Sequence, residues 1–260
     1  MGAAGVGDAH ALTGWWDVPR MTVSQGLTGD IRLLPLRLRG IADVYDATLA
    51  IGEAAGAAAA PALVEQLRGR LRRVAAKART AGIGEGPRPR TPRVAVIRLD
   101  AEGWEPVSSP WASELVAMLG GVCPVSSVGG LQDQDQPQGT WTRVRAFAPD
   151  VLLLVAEQAA ETALDRTSEL ASLPGWWALP AVFRGDVFLL SSMSSDLVLR
   201  PGIHVADAAA LLAHLLRGGE SGGKDLQEAA VKRQSVLKLD LMGGGRCRPR
   251  NLPNYFVRFL

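Results

Sequence analysis

Three short aliphatic runs constrain the fold of this chain more than any other feature. They are Val94 to Leu99, Val151 to Ala156 and Val187 to Ser191. None of the three alternates strictly between apolar and polar residues. A strand that is covered on both faces needs such a run, whereas a strand with one wet face alternates. Segments with helical spacing separate the runs. We therefore predict an α/β fold with a mainly parallel sheet and helices on both faces.

Helical spacing of apolar residues, together with turn signals, predicts the elements around these runs. A short strand is predicted at Pro124 to Val128. The predicted helices are Trp111 to Leu119, Thr140 to Phe147, Thr162 to Leu173 and Val205 to Leu216.

Two further helices are predicted before the first run. One begins at Ile41 and breaks near Gly52 and Gly56. The other follows Pro61 and continues to Ala78 as one long helix, whose charged side we interpret as a solvated face. Its predicted apolar stripe consists of Leu63, Leu67, Leu71 and Val74.

Glycine, proline and loss of periodicity mark the boundaries between segments. Gly82 to Pro92 is predicted to be a linker, and Asp225 to Leu239 is predicted to be one more amphipathic helix. The expected organisation is a poorly ordered N-terminal segment (1–32), a helical segment with the long helix (33–82), an α/β lobe (93–217) and a flexible or irregular C-terminal tail (218–260).

Charge and cysteine content exclude several function classes. Lys plus Arg number 28 and Asp plus Glu 26, and this balance gives no electrostatic case for nucleic acid or an acidic membrane surface. Cys123 and Cys247 lie far apart without histidines at ligand spacing, so we expect no metal site and two free thiols, one of them buried.

The sequence also lacks the signatures of catalysis and of membrane insertion. It has no G-x-S-x-G sequence and no plausible acid/base pair, so we expect no enzyme activity and no catalytic residue. The longest apolar stretches are too short to span a bilayer, and the first twenty residues do not have the pattern of a secretory signal.

Five segments carry a resemblance to a known family. The most informative is PGWWALPAVFRGDVFLL, Pro174 to Leu190. In their order and approximate spacing, the five resemble segments of the periplasmic cobalamin and iron-siderophore substrate-binding proteins of ABC importers, which have the class III binding-protein fold. The other four are Leu33 to Gly56, Ser109 to Gly121, Trp141 to Val155 and Arg200 to Leu216.

This resemblance implies a function without chemistry or cofactor. The family binds a corrinoid or a ferric chelate between two lobes joined by a rigid helix, here 61–78, and docks on a membrane permease. The sequence departs from the family in three places. Only about thirty residues precede Leu33, where the family has a complete first lobe, and Glu157 to Thr162 and Ser191 to Leu199 replace its usual residues near the ligand.

These departures leave two alternatives. One is a soluble interaction domain that keeps the binding-protein fold without transport, and the other is a truncated gene model of a two-lobe protein. The family is periplasmic, whereas the missing export pattern would fit a cytoplasmic or organellar location.

The resemblance places three candidate ligand contacts in the lobe. Trp111 would open a helix at the cleft and stack on a flat ligand, although a core tryptophan is an equal alternative. Met193 lies in the loop after the last predicted strand, where open α/β sheets bind ligands, and loop filler is the alternative. Arg200 would pair with an acidic ligand or clamp backbone carbonyls.

Two glutamates are candidates for docking on importer arginines, because family members use acidic residues on each lobe. They are Glu114 and Glu157, and solvated surface residues are the alternative. His204 and His214 are ten residues apart and cannot form a close metal-ligand pair on one helix.

Overall fold

Within the described part of the chain, six strands form one sheet, as a computed structural model shows. The structure describes residues 34, 36–80, 91–101, 103–124, 137–156, 160–191, 193–217, 236–241 and 248–258. The strand order is β2-β1-β3-β4-β5-β6. The strands are β1 Val94–Leu99, β2 Trp104–Pro106, β3 Val151–Ala156, β4 Val187–Ser191, β5 Val236–Leu239 and β6 Phe256–Arg258.

The three central strands are parallel and end level with one another. In the register, Leu99 lies beside Ala156, and Ala156 lies beside Ser191. The outer strands β2, β5 and β6 are antiparallel to their neighbours. The prediction of a mainly parallel sheet is therefore confirmed for its centre, with strand bounds that match the three aliphatic runs.

Two layers of helices cover the sheet. One face packs against α1 Ile41–Ala54, α2 Ala60–Thr80, α3 Pro110–Met118, α7 Met193–Leu199 and α8 Val205–Leu216. The other face packs against α4 Pro137–Phe147, α5 Ala160–Ala171, α6 Pro180–Phe183 and the 3₁₀ helices Trp176–Ala178 and Pro249–Tyr255.

Strand β3 explains why both layers are needed. Val151, Leu153 and Val155 belong to the core on one face, while the residues between them belong to the core on the other. None of the six is more than 2% exposed. A fully buried strand has no wet face and reads as an aliphatic run.

The C-terminal part differs from the prediction. The sequence predicts a helix over Asp225 to Leu239, and the structure describes only its last four residues. For these the prediction is wrong, because Val236–Leu239 is a strand paired with β4. Phe256–Arg258 extends the sheet once more, so these parts of the tail are regular structure. The physical reason is the edge of β4, whose backbone groups need partners, and such tertiary pairing overrides local helical spacing.

Smaller differences concern the helices. The sequence predicts a loop at Met193 after the last strand, but Met193 is the first residue of helix α7. In α2 the buried side is shifted from the predicted stripe: Leu63 is 40% exposed, and Val64 is buried instead. Three predicted features lie outside the described residues: positions 82–90 of the linker, the strand beyond Pro124, and Cys247.

Candidate functional site

The carboxyl ends of the parallel strands form the candidate site. Open α/β sheets bind ligands at this edge, where the loops and helices after the strands meet. Here α7 begins two residues after β4 ends, and α3 begins at Pro110 after the β1–β2 hairpin. The hydroxyl of Ser109 caps α3 by accepting a hydrogen bond from Ala112 N at 3.2 Å. We call the region formed by these strand ends, α3 and α7 the carboxyl edge.

A buried serine joins α7 to the strand ends. Ser195 is 2% exposed, and its Oγ lies 2.9 Å from Ala156 O and 2.8 Å from Leu190 O. The same oxygen accepts a hydrogen bond from Ala156 N at 3.2 Å. The hydroxyl has one proton, which it donates to one of these two carbonyl oxygens at a time, and in either case Ser195 links α7 to the end of a strand.

Trp111 connects α3 to the same helix. Its side chain is 1% exposed, and its indole Nε1 donates a hydrogen bond to Leu197 O at 3.2 Å. The indole packs in the core with its donor bound, so it has the packing role that was the alternative to ligand stacking. A stacked ligand would require α3 and α7 to separate.

Each of the three residues predicted as ligand contacts lies in α7, next to it or in contact with it. Met193 is its first residue, Trp111 binds its backbone, and Arg200 follows its last residue. Seven helical residues rise by about 10 Å, which separates the two ends of α7. The side chain of Met193 lies outside the described residues. Arg200 is 56% exposed and its Nε lies 3.2 Å from Asp196 Oδ1.

The predicted docking residue Glu114 lies on the exposed side of α3. Its Oε2 accepts a hydrogen bond from Ile41 N at 2.8 Å, so the carboxylate caps the start of α1. A negative charge there is favourable, because the first N–H groups of a helix carry partial positive charge. Glu157 lies outside the described residues.

Sequence reasoning missed a charged cluster at the same edge. Arg98 is the next-to-last residue of β1, and its guanidinium contacts Asp100 Oδ2 at 3.6 Å and the carboxylate of Glu105 on β2. The side chain of Arg98 is only 15% exposed, whereas that of Glu105 is 53% exposed. The sequence signal that could have revealed this cluster is the single arginine inside the otherwise aliphatic run VAVIRL.

Three tryptophans hold β2 in place beside this cluster. Trp104 and Trp141 meet edge to face, with ring centroids 5.7 Å apart, and Trp141 stacks on Trp176 at 6.1 Å. Trp141 Nε1 also donates to Pro174 O at 2.9 Å. The aromatic contacts therefore fix the strand that carries Glu105.

The described residues contain no group of three or more His, Cys, Asp and Glu arranged to hold a metal ion. Cys123 is buried and free, and burial raises the pKa of its thiol to about 11. Its sulfur is therefore protonated at neutral pH and unreactive. Among the described helices, none is both long and apolar enough to cross a membrane.

Comparison with known proteins shows similarity in structure but not in sequence. No family sequence model matches the chain, and no curated protein matches it by sequence. An ABC transporter substrate-binding protein from Listeria monocytogenes is similar in structure, with 15% identity and a TM-score of 0.53, covering 73% of this chain and 69% of that chain.

Two further solved structures are similar. The S. aureus protein IsdE, complexed with heme, has 14% identity and a TM-score of 0.52, covering 72% of this chain and 68% of that one. An ABC-type Fe3+-hydroxamate transport system structure from Saccharomonospora viridis has 19% identity and a TM-score of 0.50, covering 70% of this chain and 57% of that one. The chain thus spans about three fifths to two thirds of their length. Over about 70% of its length, this chain has the fold seen in ABC transporter substrate-binding proteins and in a periplasmic binding protein from Veillonella parvula, which confirms the predicted resemblance at the level of fold.

Proposed function

We propose that this chain is a substrate-binding component of an ABC-type uptake system and that it binds a ferric chelate, heme or a corrinoid without chemistry. The observation that carries the proposal is the level carboxyl edge of β1, β3 and β4 within a substrate-binding-protein fold. Two of the similar structures concern iron ligands, one complexed with heme and one from an Fe3+-hydroxamate transport system. They favour an iron chelate over cobalamin.

The proposed site has a rigid wall and a polar end. The wall is helix α7, which Ser195 and Trp111 hold in place. Because α7 is already ordered, no ordering of this helix is needed when a ligand binds. Preorganisation of this kind reduces the entropic cost of binding. Met193 and Arg200, at the two ends of α7, are the proposed contacts on the wall.

Arg98 is the proposed contact for an acidic group of the ligand. A guanidinium binds a carboxylate in a two-pronged geometry, and Arg98 already binds one from Glu105. Because Glu105 is half exposed, a carboxylate of heme or of a siderophore can take its place without leaving a buried charge unpaired.

Calorimetric titration tests this proposal. We expect hemin, ferrioxamine B or cobinamide to give a saturable signal with the intact chain. Arg98→Gln should weaken binding of an acidic ligand such as hemin about tenfold or more, which corresponds to about 1.4 kcal/mol. Arg143→Gln, on the exposed surface of α4, should leave it unchanged. Flat traces with all three ligands would contradict the function, and equal effects of both variants would contradict the role of Arg98.

Docking on a permease belongs to the same proposal, with Glu114 and Glu157 as contacts. Glu114→Gln keeps an oxygen that accepts from Ile41 N–H while removing the negative charge. Weaker permease binding by this variant, with unchanged ligand binding, is the expected result. The proposed site of action is extracytoplasmic, as for the periplasmic proteins of this fold.

A second candidate is an interaction domain that keeps the fold without the ligand. The complete burial of Trp111 favours it, because the residue that would stack on a ligand is used to pack α3 on α7. The titration above separates the two candidates, since an interaction domain gives no signal with any of the three chelates.

A further inference from the structure

A groove lined by basic residues runs between α2 and α8. Its lining includes four cationic side chains and one carboxylate. The cations are Arg70, Arg73, Lys77 and Arg217, and the carboxylate is Asp207. Cationic side chains therefore outnumber carboxylates in its lining. We call it the α2–α8 groove.

One of the cations is held in a fixed position. Arg70 binds Asp207 Oδ1 through a guanidinium nitrogen at 2.8 Å, and Asp207 is only 4% exposed. His204 Nδ1 lies 3.2 Å from the other oxygen of the same carboxylate. The buried carboxylate of Asp207 therefore fixes the orientation of the Arg70 guanidinium in the lining.

Arg73 and Lys77 lie on the same side of α2 as Arg70, since residues three, four and seven apart share a helix face. Lys77 and Arg217 also have interactions of their own. A cation near a helix C-terminus is favourable, and this accounts for Lys77 in the last turn of α2 and Arg217 after α8. It does not account for Arg70 and Arg73 in the middle of α2.

Small residues form the floor between the cations. Ala78, Ala206, Ala210 and Ala213 line the groove, so no long side chain fills it. The recess has a volume of about 100 Å³. This size suits a phosphate or pyrophosphate group better than a protein helix, whose diameter is about 10 Å.

We propose that the α2–α8 groove binds a small soluble ligand through its phosphate groups. Arg70, Arg73 and Lys77 would contact the phosphate oxygens, because arginine and lysine donate strong charge-assisted hydrogen bonds to them. The alanine floor lets the anion approach the backbones of both helices. Its lining residues include none of the proposed chelate contacts, and neither proposal depends on the other.

Titration of the intact chain with inorganic pyrophosphate tests the groove. The double variant Arg73→Gln/Lys77→Gln removes two charges from the groove, and Arg72→Gln/Arg79→Gln removes two from exposed positions of the same helix outside it. We expect wild type to bind, the groove variant to bind at least tenfold more weakly, and the control to change less than twofold.

Ala210→Asp provides a second variant, since it places a carboxylate on the groove floor. We expect it to abolish pyrophosphate binding and to leave chelate binding at the carboxyl edge unchanged. The absence of pyrophosphate binding by wild type would overturn the proposal. Equal weakening by the groove and control variants would also overturn it, because it would show attraction to overall charge.

Discussion

The Oγ atom of Ser195 lies 2.9 Å from the carbonyl oxygen of Ala156 and accepts a hydrogen bond from the N–H group of the same residue. Helix α7 is thereby tied to the last residue of β3 at the edge where the parallel strands end. The contact makes the proposed ligand wall part of the core.

Ser195→Ala should destabilise the protein. The change removes the hydroxyl proton that one of the carbonyl oxygens of Ala156 and Leu190 accepts, together with the oxygen that accepts from Ala156 N–H, and the loss of these buried hydrogen bonds costs about 1 to 3 kcal/mol. Urea denaturation measures the loss. Ser172→Ala removes an exposed hydroxyl that bonds Ser168 O, and it should cost less than about 0.5 kcal/mol. Equal losses in the two variants would contradict the role of Ser195.

Trp111→Phe should also lower stability. Phenylalanine loses the hydrogen bond to Leu197 O and leaves a small cavity in a site that is 1% exposed, for an expected loss of about 2 kcal/mol. Trp177→Phe is the matched control, because Trp177 is 37% exposed. Thermal unfolding that shows the control to be the more damaging change would refute the packing role.

Asp150 should make stability depend on pH. Burial alone would raise its carboxyl pKa, but hydrogen bonds from the side chain and backbone of Arg93 and from Arg184 outweigh burial and lower the pKa. An unfolded aspartate has a pKa of about 3.9. The folded pKa lies below this value, so the stabilisation is present above about pH 4 and is lost as the pH falls through the folded pKa.

Asp150→Asn should therefore cost about 2 kcal/mol at pH 7, and the difference from wild type should shrink as the pH falls below about 4. Denaturation at several pH values measures it. Asp165→Asn, at an exposed position of α5, should show no such trend. A difference that grows towards low pH would contradict the sign of the pKa shift.

Ala148→Gly should stabilise the turn before β3. Ala148 has a φ of 48°, in the left-handed region, where a Cβ costs about 1 to 2 kcal/mol. The greater freedom of glycine in the unfolded chain offsets about 0.4 to 1 kcal/mol of this gain. The expected net effect is a small rise in Tm. Ala117→Gly, on the exposed side of helix α3, should lower Tm, and a fall in Tm for both variants would contradict the prediction.

The sequence predicted the centre of the fold well, because β1, β3 and β4 are covered on both faces. Their burial leaves uninterrupted aliphatic runs, and the observed bounds equal the predicted ones. Antiparallel strands β2, β5 and β6 were missed. They are three or four residues long, and their pairing depends on partners far away in the sequence or on the edges of the sheet.

The candidate site was less predictable from the sequence, because its contacts also depend on how separate elements pair and pack. The burial of Trp111 depends on α7, whose seven residues are too few to show a helical period. The partners of Arg98 depend on the register of β2, which places Glu105 opposite it. Sequence spacing could locate these residues on the chain, but the contacts between elements decide what each side chain touches.

Hydrogen exchange with and without ligand tests the central claim most directly. The intact chain is saturated with whichever of hemin, ferrioxamine B and cobinamide binds it, and amide protection is mapped along the sequence. The account predicts new protection in residues 193–200, which contain α7, and in residues 98–107, which contain Arg98 at the end of β1 and strand β2. Protection confined to other segments, or no ligand-dependent protection anywhere, would contradict it.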